Sequence, residues 1–279
     1  MRIRFTVPIA GLVLLLVFSL HLLGHGAPLS KAKAPAAING RSGERLQTKA
    51  QTPTSQPFDP HDLSGVWVLQ RQKIFTLSTD KPPLTAWGQA KFNATKPGYG
   101  PRAIPPAFGN DPIGNCDPSG YPRIMFDPVR PMEMIQLPNR LLQHFQYHEV
   151  WRTIWTDGRA APKDLVLPLW NGYSIGRWEG SAFVVESTDF DDRTWLDHFG
   201  DPHSDEMRLQ ERFRRADHDT LELTMTLTDP KTYTGPWVSE LKTWKLAPKL
   251  EIEQEICVPS EEQAFNKRQR DVAGGKTSP

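Results

Sequence analysis

The feature that most constrains this chain is a series of short segments of alternating apolar and polar residues, each bounded by a turn signal, running from Asp62 to about Val258. Such alternation puts successive side chains on opposite faces of a strand, a pattern that a helix cannot satisfy. Residues 62–69 open the series. Residues 132–136 and 141–155 follow, joined by Leu137-Pro138-Asn139-Arg140, and read as a hairpin leading into one long strand. Asp157-Gly158 makes the next turn. Residues 174–178 and 182–188 flank Glu179-Gly180, and residues 207–215 and 221–227 flank Asp217-His218-Asp219. Residues 237–246 and 250–258 complete about nine or ten strands. Only residues 85–93 read as a helix, with Thr85 as N-cap. Consecutive hairpins of this kind predict a mainly β fold, an antiparallel meander closed into a barrel, with a sandwich as the alternative.

The proline content has a location. Of 26 prolines, 11 lie in residues 82–131, together with 6 of the 20 glycines. A segment this long with little regular structure needs a reason to exist within a compact domain. Its embedded Trp87, Phe92, Tyr99, Ile104, Phe108, Ile113 and Tyr121 predict a loop packed across one end of the barrel as a lid. The barrel domain is expected over residues 61–260, followed by a polar tail over 261–279.

The N-terminus reads as an address. Arg2 and Arg4 precede an apolar run over residues 5–23, and Gly24-His25-Gly26 follows as a small-residue cleavage site. This is the order of a secretory signal peptide over residues 1–26, with an uncleaved membrane anchor as the alternative. Residues 27–60 are poor in large apolar side chains and read as a flexible linker. The expected location is the periplasm or the exterior. Lys and Arg number 33 against 32 Asp and Glu, and loss of Arg2 and Arg4 leaves 31 against 32. This balance gives no electrostatic reason to expect nucleic acid. Membrane contact is expected only through an uncleaved signal segment, and the chain is read as a monomer. Cys116 and Cys257 are able to pair in an oxidising compartment, where such a bond would staple the lid to the barrel; the sequence leaves the pairing open.

Gly65-Val66-Trp67 is similar to the Gly-x-Trp of lipocalins. The series YHEVWRTIWTDGR (147–159), YSIGRWEGSAFVVESTDFDDRTWLD (173–197), PHSDEMRLQERFRR (202–215) and DTLELTMTLTDPKTYTGPW (219–237) resembles a widespread, uncharacterised family of exported bacterial proteins. The match covers nearly the whole domain. The fold it implies is lipocalin-like, and it brings no catalytic residue with it.

Parity along the strands nominates the site residues. In a continuous strand over 141–155, one face carries Phe145, Tyr147, Glu149, Trp151 and Trp155; along 207–213, one face carries Met207, Leu209, Glu211 and Phe213. Each apolar face therefore takes one carboxylate inward. A buried, unpaired carboxylate is costly or is driven to protonate. Either Glu149 and Glu211 act on a ligand or a proton, with His203 or Tyr147 nearby, or each pairs with an arginine, for which Arg152, Arg177 and Arg193 are candidates. Phe145, Tyr147, Trp151, Trp155 and Phe213 are the expected ligand-binding residues. His144 and His148 are too far apart along a strand to share a metal and read as solvent-facing.

The loop 189–206 gathers Asp189, Asp191, Asp192, Arg193, Asp197, His198, His203, Ser204, Asp205 and Glu206. No metal is assigned, although His198, His203 and Asp205 form an alternative ligand set beside the reading of a polar loop. No cofactor is called for: phosphate-binding glycine loops, nucleophile elbows and zinc-protease helices are missing from the sequence. The leading expectation is an exported barrel that binds a small, mainly apolar molecule. An acid–base enzyme (isomerase, lyase or hydrolase) and a structural or interaction protein of the envelope are the alternatives.

Overall fold

A computed structural model of the chain describes residues 56–70, 75–127, 129–163 and 167–276. The expected signal peptide and most of the expected linker lie outside these residues. Ten strands follow in order: β1 (Gly65–Leu69), β2 (Met132–Leu137), β3 (Arg140–Phe145), β4 (Val150–Trp155), β5 (Tyr173–Glu179), β6 (Ala182–Thr188), β7 (Arg208–Asp217), β8 (Thr220–Thr228), β9 (Trp237–Val238) and β10 (Lys242–Leu246). Strands β1 to β8 are neighbours in sequence order, and β10 pairs with both β8 and β1 to close the sheet. β9 and β10 run along the same side of β8, where Thr226 faces Val238 and Leu223 faces Lys242. They are one strand broken by a bulge at residues 239–241, where Ser239 Oγ accepts the Met225 N–H at 2.8 Å. The result is a nine-stranded, lipocalin-like barrel.

Two departures from the expected meander matter. First, the long strand over 141–155 is two strands. Gln146 to Glu149 turn back on themselves, with His148 at φ 58° and Glu149 at φ 54°, and β3 and β4 pair antiparallel. Neither residue is a glycine, so nothing local announces the turn. It is held from outside by the Gln146 N–H on the Pro131 carbonyl, the Glu255 N–H on the Glu149 carboxylate and the Arg130 guanidinium over the Tyr147 ring. Second, β4 and β5 are parallel and share only Ile154↔Ser174 and Trp155↔Ile175, so the chain leaves β4 at one end of the barrel and enters β5 at the other. The strand expected over 250–258 does not form. That segment is irregular and leads into a helix, α2 (Pro259–Phe265), which continues through a π-helical turn (Asn266–Arg270) to Asp271–Ala273.

The barrel ends are unequal. One end carries the tight turns β2–β3, β5–β6 and β7–β8, with the segment before β1 bonded to Gly180, Gln136 and Arg215. The other receives the long insertion between β1 and β2, the loop between β6 and β7, and the loop between β8 and β9. The insertion contains the expected helix, α1 (Ala86–Ala94), with Thr85 Oγ1 accepting the Gly88 N–H at 3.1 Å. A Cβ on Gly88 would stand 2.3 Å from the Thr232 carbonyl oxygen, so glycine lets α1 lie directly on the β8–β9 loop. Further on, the buried Tyr121, Ile124, Met125 and Phe126 drive the insertion down into the mouth of the barrel. A Cys116–Cys257 disulfide ties it to the segment before α2 across 141 residues of sequence.

Among the described residues, no helix is long and apolar enough to cross a membrane.

Candidate functional site

Side chains fill the barrel from wall to wall. Trp67, Met132, Met134, Phe145, Ile154, Phe183, Val185, Leu209, Phe213, Leu223, Met225 and Trp244 belong to one buried apolar cluster. Embedded in it is one polar network. Glu211, on β7 as its parity requires, is fully buried and accepts both Arg152 Nη1 at 3.1 Å and Arg152 Nη2, together with the Tyr121 hydroxyl from the lid. Arg152 also donates to Gln143 Oε1 at 2.8 Å, Ser174 Oγ at 3.1 Å and Ser187 Oγ at 2.9 Å, and its guanidinium lies 3.7 Å from the centre of the Tyr121 ring. Both Nη atoms and Nε of the guanidinium are engaged, which is the condition under which a buried ion pair is tolerated. Burial drives the Tyr121 hydroxyl well above its ordinary pKa, and the arginine lies above its own because Glu211 and Tyr121 outweigh its desolvation.

The turn at 146–149 reverses the expected parity of everything after it. Arg152 and Ile154 point inward, while Trp151 and Trp155 point outward, against the expectation that they line the interior. Trp151 is half exposed and stacks on His144 at 4.1 Å, which buries the histidine expected to face solvent. Trp155 is sandwiched between Arg140 and Arg159 on the outer wall. Tyr147 and His148 stack on each other in the turn itself. Glu149 lies in that turn, not in the barrel, with its carboxylate 3.2 Å from His144 Nε2. Phe145 and Phe213 do point inward, but as packed core.

His203 is fully buried and neutral, lowered by desolvation, with Nε2 2.7 Å from Thr194 Oγ1 and Nδ1 on the Ser204 carbonyl. Glu149, Glu211 and His203 thus occupy three networks that share no partner. The alternative metal set is also dispersed. His198 packs edge-on to Phe75 and Tyr99, with burial lowering its pKa to about 3, whereas Asp205 is on the surface with Lys231. Among the described residues, no three His, Cys, Asp or Glu side chains are grouped to hold a metal ion.

An aromatic-lined cleft with converging charges lies under the lid, at the long-loop end. Its volume is about 200 Å³. Segment 76–81 after β1, Phe92 of α1, Pro101 and Arg102 of the lid, Phe199 and Asp201 of the β6–β7 loop, and Trp237 of β9 form its walls. Side-chain hydrogen bonds set this arrangement. Thr95 Oγ1, just past α1, donates to the Gly200 carbonyl at 2.8 Å, and Trp237 Nε1 donates to Ser78 Oγ at 3.0 Å. The β6–β7 loop is wound tightly around Asp197, whose Oδ1 accepts the N–H groups of Phe199 at 2.9 Å and Asp201 at 3.1 Å. Gly100, at φ 81°, lies so close to the Phe199 ring that a Cβ would stand 2.5 Å from it.

The charges in the cleft are few and placed. Lys81 Nζ is 2.5 Å from Asp201 Oδ1 and 4.0 Å from the centre of the Phe92 ring. Arg102 Cζ lies 3.5 Å from the centre of the same ring, and its Nη donors go to the Phe92, Thr95 and Phe199 carbonyls and to Thr95 Oγ1. Behind Asp201, the fully buried Asp197 is raised to about 8 by desolvation and then by the charge of Asp201, so it holds its proton at neutral pH. Of the cleft residues, Phe92 belonged to the aromatic set of the lid and Asp197 to the acidic loop; Lys81, Arg102, Phe199 and Asp201 escape sequence reasoning because they meet only through the fold.

Two stability measurements follow. Arg152→Met leaves Glu211 charged and unpaired in the core and is expected to cost about 3–5 kcal/mol in urea unfolding, whereas Arg152→Met combined with Glu211→Gln recovers most of that loss. Asp197 is raised when folded, so its contribution to stability is complete below about pH 4 and is lost as pH rises to about 8. Asp197→Asn removes that loss. The stability of the variant relative to wild type is expected to increase steadily between those two pH values and then level off; a difference independent of pH would contradict the buried-acid assignment.

The chain matches no family model, no curated protein and no solved structure, so the geometry of the cleft carries the functional reading.

Proposed function

We propose that this protein is an exported barrel that binds a small, mainly apolar molecule, and that it does so in the cleft under its lid. The observation that carries this reading is the cleft itself, in which Phe92, Phe199 and Trp237 surround about 200 Å³ beside an Asp201–Lys81 ion pair. A few placed polar groups in an otherwise apolar concavity are the usual composition of a ligand site. An apolar cavity of about 150 Å³ suffices for benzene, so this volume suits a molecule built on one ring or a short chain. The barrel provides the rigid wall, and the lid provides the closing face. Export to the periplasm or beyond is supported by the basic and apolar N-terminal segment and by the Cys116–Cys257 disulfide, which belongs in an oxidising compartment. The resemblance to exported bacterial proteins points the same way.

The neutral probe para-fluorophenylacetamide, followed by fluorine NMR, tests the reading. Binding is expected to weaken about tenfold to a hundredfold in Phe199→Ala, the loss of one ring contact worth about 1.5–3 kcal/mol. Thr79→Trp, on the exposed rim of the cleft, is expected to block the probe without lowering the melting temperature, and Trp151→Ala on the outer wall is expected to change nothing. Probe binding that survives both cleft variants, or that is lost in Trp151→Ala alone, would place the site elsewhere.

A further inference from the structure

The cleft is not electrically neutral, and the imbalance selects a ligand. Lys81 and Asp201 cancel each other, at 2.5 Å. Arg102 remains. All four of its Nη hydrogen bonds go to carbonyl oxygens and a hydroxyl, so it keeps a full positive charge within the cleft without a carboxylate of its own. Burial lowers its pKa, and the nearby Asp201 and Asp197 oppose that lowering without cancelling it. Lys81 has spent one of its three N–H donors on Asp201 and lies over Phe92, where the ring and the ammonium are adjacent. A neutral apolar guest would cover Arg102 without supplying it a counter-charge, and an amine would be repelled by it.

We propose that the ligand is an amphipathic carboxylate whose ring or chain lies among Phe92, Phe199 and Trp237 and whose anionic end meets Lys81 in the field of Arg102. This rests on the reading of the cleft as a binding site and names the chemistry of its ligand. Lys81 supplies the charge-assisted hydrogen bond, and Arg102, with its Nη donors committed, supplies charge rather than contact. The groups that face Asp197 and Asp201 are Lys81, Arg102, Tyr233 and the neighbouring His198. Of these, the histidine is neutral above about pH 3 and the tyrosine is neutral throughout the working range. Loss of the Asp197 proton above about pH 8 adds a negative charge behind Asp201.

The test compares three probes with one ring and three charges: para-fluorophenylacetate, para-fluorophenylacetamide and para-fluorophenethylamine, by fluorine NMR on the full chain. The carboxylate is expected to bind at least about tenfold more tightly than the amide, with the amine weakest. Lys81→Met is expected to erase the preference for the carboxylate while keeping the amide. Raising the pH from about 7 to about 9 is expected to weaken carboxylate binding and leave the amide unchanged in wild type, and to have no effect on either in Asp197→Asn. If the amide binds at the cleft as tightly as the carboxylate, the charge assignment is wrong and the binding site stands. If none of the three binds a chain with wild-type melting temperature, the cleft reading fails, and this proposal fails with it.

Discussion

The Arg152–Glu211 pair is the constraint on which the rest of the structure depends. An arginine and a glutamate taken fully out of water have a large desolvation cost, and the barrel offsets it by converging on them. β3 contributes Gln143, β5 Ser174, β6 Ser187, and the lid Tyr121. Gln143, Ser174, Ser187 and Tyr121 are all buried, and the guanidinium and carboxylate join them into one hydrogen-bonded network. The network therefore fixes strand register on several sides of the barrel at once. Because Tyr121 belongs to the insertion, it also fixes how deeply the lid enters the barrel mouth.

That depth decides where a ligand can go. With Tyr121, Phe126 and the Arg152 guanidinium in place, the barrel interior is core, and the open space moves up to where the lid, α1 and the β6–β7 loop come together over Trp237. The same loop that forms one wall of the cleft winds around Asp197 and keeps it protonated, so the wall is less negative than its sequence suggests. Burial thus acts twice in this molecule. Within the barrel it forces an ion pair to be complete, and under the lid it suppresses a charge and leaves the balance positive.

Much of the fold was legible in the sequence, and the reasons differ by element. Strands β5 to β8 are bounded by Glu179-Gly180 and Asp217-His218-Asp219, turns whose chemistry is local, and parity along β7 suffices to send Glu211 inward. The α1 N-cap at Thr85 was equally local. The β3–β4 turn was not, because left-handed His148 and Glu149 are held by Pro131, Arg130 and Glu255, all distant in sequence. Missing that turn reversed the parity of β4, so Glu149 and Trp151 were expected inside and Arg152, the actual partner of Glu211, was only one arginine among three. Residues 250–258 alternate as a strand does, yet no strand forms there, since β1 and β8 already flank β10 on both sides. The cleft was the least legible part. Lys81, Arg102 and the Phe199–Asp201 pair lie on three segments spread over 120 positions, and no local pattern unites them.

The central claim is that ligand binds under the lid and not within the barrel. A crystal structure of the full chain soaked with para-bromophenylacetate tests it most directly, because bromine scatters anomalously at an edge no protein atom shares and so marks the ring. The account predicts one bromine peak between Phe92, Phe199 and Trp237, with the carboxylate directed at Lys81. A peak among Phe145, Phe213 and Arg152, or one confined to Trp151 on the outer wall, would contradict it.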